Sequence, residues 1–346
     1  TKRMLWRIAQ GQYDPLGLVC AYMIRWKLLM RLVTMEAATT GWDSPLSPDS
    51  EAEFRKMVKD FKKLRELRFP RSIHPSGEEY ANPMLMVFGD GSRDAYCVLI
   101  YIRWERPDGK AECRLVTGKT GVAPRAKITI PRMELVAAVM AVRLAKKVKD
   151  SLQIELHKVR YFTDSSAVLG MLNEESGSFT EFVGTRVSEV KVKSDPATEW
   201  LWIPGTCNPA DKGTRQLTQP DELELGSEYQ CGMEWMCEPE DCWPARKKIE
   251  APPKEELRKD IKGILPSSNP AADSGDAVIR KEKRKTIPVA FCGATAAMAP
   301  GVVLPGKSEN LDKMLRIFGY VFAAACKWRK KQGANGPVII LSLIHI

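Results

Sequence analysis

The sequence predicts an α/β chain with a mixed five-stranded sheet flanked by helices, a helical N-terminal segment and a loop-rich C-terminal linker. Three observations carry that expectation. Residues 84–119 hold three β-branched and aromatic runs in close succession, the signature of a strand meander. From residue 131 onward helical and strand patterns alternate, the order of an α/β unit. Before residue 81 the apolar spacing is helical, and after 250 the composition turns to that of a linker.

Taken in order, "LGLVCAYMIRWKLLMRLV" (16–33) spaces Arg25, Lys27 and Arg31 through an apolar run, as a packed helix does. "SPLSPDSEAEFRKMVKDFKKLREL" (44–67) opens with Ser and Pro. It then repeats Phe54, Met57, Val58, Phe61 and Leu64 at helical intervals, and "FPRSIHP" breaks it. "MLMVFGD" (84–90), "AYCVLIYIRW" (95–104) and "AECRLVTGK" (111–119) read as strands, the last two joined by "ERPDGK". "PRMELVAAVMAVRLAKKVKDSL" (131–152) is a helix with Pro at its start. "KVRYFTD" (158–164) is a fourth strand, "SSAVLGMLNE" and "SFTEFVGTRVSEVKV" are helices, and "TEWLWIPG" (198–205) is a fifth strand. "TCNPADKGTR" then enters a further helix. Trp200 and Trp202 alternate on the fifth strand, so at least one should be core.

The 346 residues carry a formal net charge of +10, with 44% hydrophobic and 28% charged residues. This is a globular composition with a modest bias toward polyanionic partners. Nine cysteines form no paired framework, which fits a reducing compartment. Cys231, Cys237 and Cys242 lack the spacing of a structural zinc site. No apolar run approaches the length of a membrane span. The chain opens on "TKRMLW", read as a piece of a longer product, and the closing "LSLIHI" (341–346) reads as a non-native, adapter-derived tail.

Four acids occupy telling places. Asp90 ends the first strand, Glu134 lies in the first turns of the following helix, Asp164 ends the fourth strand, and Asp211 opens the helix after the fifth. In a β-β-β-α-β order the first and fourth strands can lie side by side, with the helix projecting Glu134 toward both acids. Carboxylates aimed at one point repel unless cations occupy it. Hard ions such as Mg²⁺ take oxygen ligands and keep waters for a phosphate. Two such ions roughly 3.5–4 Å apart can activate water and stabilise a leaving phosphodiester oxygen. A lone Asp at a strand end is more often a cap or turn residue. The order D…E…D…D on matching elements points instead to a metal site.

"FGDGSRDAYCVLIYIRW", "IPRMELVAAVMAVRLA", "YFTDSSAVLGML" and "WIPGTCNPADKGTR" resemble the RNase H domain of BEL/Pao-type LTR retrotransposon Pol polyproteins. Upstream, "YDPLGLVCAYMIRWKLLM" and the 41–75 segment resemble the part that follows the reverse transcriptase palm. "SENLDKMLRIFGYVFAAACKWRKK" (308–331) is similar to the helix preceding the integrase zinc-binding region. The resemblance implies an RNase H-like fold and endonucleolytic cleavage of the RNA strand of RNA–DNA hybrids during reverse transcription. It also implies two Mg²⁺ ions, with Mn²⁺ as an alternative, held by Asp90, Glu134, Asp164 and Asp211. The partners it implies are the hybrid, the polymerase palm and integrase, with no membrane. The place is a cytoplasmic retroelement particle, or the nucleus.

A hybrid nuclease grips backbone and 2′-OH groups. Candidate contacts are Gly91 and Ser92 beside Asp90, and the hydroxyls of Ser165 and Ser166, which read equally well as helix caps. Lys119 and Arg132, with Arg125 and Lys127, are candidate phosphate contacts or solvated loop charges. None of the three histidines, His74, His157 and His345, lies before the fourth acid. No two aspartates are adjacent, so no polymerase Tyr-x-Asp-Asp motif is present. Glu134 precedes Asp164, contrary to the order of a DDE integrase or transposase. The alternative function is an inactive or truncated element that only binds nucleic acid or connects domains. The expected divisions are 1–80, a thumb- or connection-like helical segment; 81–216, the RNase H-like domain; 217–250, an acidic extension; and 251–346, a linker and helix toward integrase.

Overall fold

The computed structural model describes residues 1–76, 79–126, 128–215 and 218–245. The expected linker, the 308–331 helix and the 341–346 tail lie outside the described residues. The chain begins with α1 (Lys2–Gln10), α2 (Cys20–Thr40) and α3 (Pro48–Glu66). α2 starts at residue 20 rather than 16 because the preceding "DPLG" is a turn. The Asp14 carboxylate accepts hydrogen bonds from the amides of Leu18 and Val19 at 2.9 and 3.1 Å, and Gly17 adopts φ +68°. A Cβ on Gly17 would lie 1.7 Å from the Gly118 carbonyl oxygen, so this turn seats on the sheet only as glycine.

Three long strands follow: β1 (Ala81–Gly91), β2 (Ala95–Glu105) and β3 (Ala111–Val122). After them come α4 (Ile130–Ser151), β4 (Lys158–Thr163), α5 (Ser166–Asn173), α6 (Glu181–Lys193), the single turn α7 (Pro196–Glu199) and β5 (Trp200–Trp202). The sheet order is β3-β2-β1-β4-β5. β2 runs antiparallel to both β1 and β3, whereas β4 is parallel to β1 and β5 to β4. β5 is shorter than the expected 198–205, because Pro196 opens a helical turn before it and Pro204 ends it. The helix expected from "TCNPADKGTR" is a 3₁₀ turn, Pro209–Gly213.

Strand alternation sends successive residues to opposite faces. Leu85, Val87, Val98, Ile100, Val159 and Tyr161 pack under α4 and α6. Met84, Met86, Phe88, Leu99, Tyr101, Phe162 and Leu201 share the second core with Leu5, Trp26 and Met57 of α1–α3 and with Leu223, Tyr229, Met236 and Trp243. That second core runs across both expected boundaries, 80/81 and 216/217. The acidic extension is therefore packed structure, with short helices α8 (Glu228–Cys231) and α9 (Glu234–Cys237). Arg103 of β2, only 1% exposed, fastens it. Its guanidinium donates to the carbonyls of Met236 and Glu238, both at 3.0 Å, and pairs with Glu105 at 2.8 Å. On the other flank Lys27 of α2 donates to the Thr120 carbonyl at 2.7 Å. Trp200 is core, as expected of one of the pair, and Trp202 is half-buried. Among the described residues no helix is long and apolar enough to cross a membrane.

Candidate active site

Parallel pairing of β1 with β4 puts Phe88 opposite Phe162, and the two rings stack 4.7 Å apart. Asp90 and Asp164 each lie two residues further on, so they leave adjacent strand ends in the same register. Glu134 arrives from α4 because Gly91 has no side chain. A Cβ there would stand 2.5 Å from the Glu134 amide nitrogen and from the Met133 carbonyl carbon. Asp211 sits on the Pro209–Gly213 turn. Asn208 caps this turn by accepting from the Ala210 amide at 3.1 Å, and it donates to the Gly89 carbonyl at 3.2 Å.

Each acid has its own neighbour. Thr214 donates its hydroxyl to Asp90 and to the Asp211 carbonyl. Ser165 donates to Glu134 at 2.5 Å. Arg215 pairs with Asp211 at 2.7 Å. Trp202 donates its indole N–H to the Asp164 carbonyl at 3.0 Å, while the buried Asp164 Oδ1 has no hydrogen-bond partner. Burial, together with the Asp90 charge, pushes Asp164 up to about 7. Burial also lifts Glu134 to about 7, with Asp164 and Asp90 adding to the rise against the Ser165 hydrogen bond. Asp90 is raised by burial, and the Asp211 charge adds to it, while the Thr214 hydrogen bond works the other way. Buried carboxylates that raise one another's pKa are mutually repelling anions.

The donor chemistry is that of a hard divalent cation: the Asp90 charge acts on Glu134 and Asp164, Asp164 acts on Glu134, Asp211 acts on Asp90 and Asp164, and one buried oxygen of Asp164 is orphaned. The side chains nonetheless stand apart. Among the described residues no three Asp, Glu, His or Cys side chains are close enough together to hold one metal ion. That also holds for Cys231, Cys237 and Cys242.

The remaining expected contacts are distributed as follows. Gly91 is buried under α4. Ser92 shapes the β1–β2 turn, donating to the Ala95 carbonyl and accepting from the amides of Asp94 and Ala95. Ser165 is buried and caps α5 by accepting from the Val168 amide at 3.1 Å, and Ser166 opens that helix. Arg132 lies over the Phe182 ring at 5.1 Å. Lys119 is exposed on the edge strand β3, away from the four acids' immediate neighbours. Lys127 is outside the described residues. Residue patterns did not single out Asn208, Thr214 or Arg215, and they marked Trp202 only as a core candidate on the fifth strand. The first three belong to the quoted "TCNPADKGTR", where an Asn before Pro is a capping signal.

The strand order and the placement of helices are those of the RNase H-like class expected from the sequence. Solved structures that resemble this one include the N-terminal RNase H domain of a Mycobacterium tuberculosis protein fused to maltose-binding protein. It is 12% identical with a TM-score of 0.28, covering 41% of this chain and 96% of that one. RNase H1 from Halobacterium salinarum is 13% identical with a TM-score of 0.24, covering 38% and 91%. No curated protein matches this sequence. Residues 1–165, from α1 to the capping serine of α5, match the family described as Pao retrotransposon-like RNaseH-like domain.

Proposed function

We propose that this chain is a retrotransposon RNase H that hydrolyses the RNA strand of RNA–DNA hybrids with Mg²⁺, or Mn²⁺ in its place. The observation that carries this reading is the shared register of Asp90 and Asp164 on neighbouring strand ends, with α4 bringing Glu134 over them at Gly91. Asp90, Glu134, Asp164 and Asp211 would hold the metal, which when bound supplies charge neutralisation and a water of lowered pKa. The chain's own contribution is placement. Thr214 orients Asp90, Ser165 orients Glu134, and Asn208 fixes the turn bearing Asp211 against β1. Trp202 anchors the backbone of Asp164. Asp164 Oδ1 is the acceptor left for a cation. In this proposal the segment works within a longer Pol polyprotein whose polymerase palm and integrase act beside it.

The test is cleavage of a labelled RNA–DNA hybrid by the full chain in Mg²⁺, alongside Asp164→Asn. Scission of the RNA strand alone, lost in EDTA and in the variant, is the expected result. A second reading, a module that binds nucleic acid or connects domains without cutting, is favoured by the separation of the acids. Hybrid binding without scission in either Mg²⁺ or Mn²⁺ would replace the first reading with the second.

A further inference from the structure

We propose that Cys113 and Cys237 form an oxidation site, at which hydrogen peroxide converts two thiols into a disulfide that ties the 218–245 segment to β3. It stands apart from the hybrid reading above. Cys113 lies on β3 opposite Arg103 of β2, and its side chain is buried in the second core. Arg103 donates to the carbonyls of Met236 and Glu238, both at 3.0 Å. Those residues flank Cys237, so the guanidinium pins the backbone on either side of it. The same clamp sets the Met236 carbonyl 3.7 Å from the Cys113 sulfur. Gly232 makes the close approach of α8 and α9 possible, since a Cβ there would stand 2.9 Å from the Cys113 Cβ. The Cys237 sulfur accepts hydrogen bonds from both the thiol and the amide of Cys113. Two free thiols from distant parts of the chain therefore meet, Cys237 partly open to solvent and Cys113 sealed behind it.

Their surroundings assign each sulfur a role. The hydrogen bond from the Cys113 thiol, helped by its amide and the Arg103 charge, holds the Cys237 thiol down at about 7 against burial and Glu112. That same bond, with burial, pushes the Cys113 thiol up. A thiolate that forms near neutral pH, in reach of solvent and beside a second thiol, is the kind that oxidises reversibly. The Cys237 thiolate attacks one peroxide oxygen and breaks the O–O bond. The other oxygen leaves with the bonding pair, takes up a proton and departs as water. Cys237 is then a sulfenic acid. Cys113 attacks that sulfur while its proton passes to the displaced hydroxyl, which leaves as a second water. In sum, two thiols lose two electrons and two protons, and peroxide is reduced to water. The other cysteines are set differently. Cys20 and Cys97 are buried, burial pushes Cys97 up, and burial also raises Cys231.

The experiment treats the full chain with hydrogen peroxide, blocks the remaining thiols by alkylation and maps the peptides by mass spectrometry without reduction. The expected product is a linked Cys113–Cys237 peptide, lighter by two hydrogens than its halves and parted by dithiothreitol. Thiol loss at Cys237 should quicken about tenfold from pH 6 to pH 8, as a group titrating near 7 requires, whereas a thiol at roughly 8.5 would quicken about 75-fold. The oxidised chain should melt several degrees above the reduced one, because the link closes a long loop in the unfolded chain. Cys113→Ser keeps a donor to Cys237 but no resolving thiol, so dimedone should trap a sulfenic acid at Cys237. Cys113→Ala serves as the second variant. A disulfide from Cys237 to Cys231 or to another copy of the chain overturns the proposal. So does oxidation of the exposed Cys242 with Cys237 untouched. The steeper pH dependence, equal melting of the two forms, or a folded Cys113 variant that takes up no dimedone would each overturn it as well. Where neither variant folds, the peptide map of the wild-type chain decides alone.

Discussion

Replacing Asp164 by Asn should destroy catalysis and stabilise the metal-free fold. Its carboxyl is buried with one oxygen unpartnered, and its pKa climbs from 3.8 to about 7, chiefly by desolvation and then by Asp90. A carboxyl with a raised folded-state pKa supports the fold fully below its unfolded pKa. That support drains away as pH rises toward the folded value. Across this window each pH unit costs about 1.4 kcal/mol, so one such group removes about 4 kcal/mol if it titrates alone. Asp164 and Glu134 titrate together and share the cost, so we halve that figure to about 2 kcal/mol. Asn has the same shape without the charge. At pH 8 in EDTA, Asp164→Asn should therefore gain roughly 2 kcal/mol in urea unfolding, or about 4–8 °C in melting temperature. At pH 4.5 the gain should shrink to a small fraction of that. The same melts with Mg²⁺ should narrow the difference at pH 8, because the cation stabilises the wild-type anion. A variant no more stable than wild type at pH 8 would refute the claim that Asp164 is a desolvated, repelled carboxylate.

Other substitutions probe the supports around it. Gly91→Ala would push a Cβ to 2.5 Å from the α4 backbone. We expect a loss of about 1–3 kcal/mol in chemical denaturation and a drop in cleavage well beyond what that loss explains. Thr214→Val removes the donor to Asp90 and should weaken Mg²⁺-induced thermal stabilisation, while Thr214→Ser keeps it; calorimetric titration with Mg²⁺ separates the two. Gly17→Ala meets the Gly118 carbonyl and a positive φ. It should cost several kcal/mol and raise protease sensitivity in the N-terminal helices first. Residues 81–216 expressed alone would expose the second face of the sheet and should bind a hydrophobic dye, unlike residues 1–245.

Strand meander, crossover helix and the places of Asp90, Glu134 and Asp164 were legible because each depends on local periodicity and on a strand end. Asp211 was legible as a residue but not in its setting. The segment around it has capping chemistry without helical periodicity, and it closes as a 3₁₀ turn held by Asn208. The two strand-end hydroxyls illustrate the limit of local reading. Ser165 and Ser166 look alike in sequence, yet Ser165 both caps α5 and donates to Glu134, and this follows only from α4 crossing above it.

The hardest feature to read was the extent of the fold. Residues 218–245 lack long periodic runs and carry a surplus of acids, which is the composition of a solvated extension. Their burial rests on sparse anchors: Leu223, Tyr229, Met236 and Trp243 separated by polar residues, each inserted on the sheet's second face. The clue lay elsewhere, in Arg103, a cation in the middle of a strand buried on both sides. A guanidinium at that position demands carbonyl acceptors, and those of Met236 and Glu238 supply them. By the same logic Lys27, set in an apolar helix, required the Thr120 carbonyl on β3. Each charge placed against the hydrophobic pattern marks where a distant segment must dock. The sheet whose strand ends carry Asp90 and Asp164 is thus clamped on its far face by helices that precede it and turns that follow it. Its two acid-bearing strand ends are held in register by packing that neither flank can supply alone.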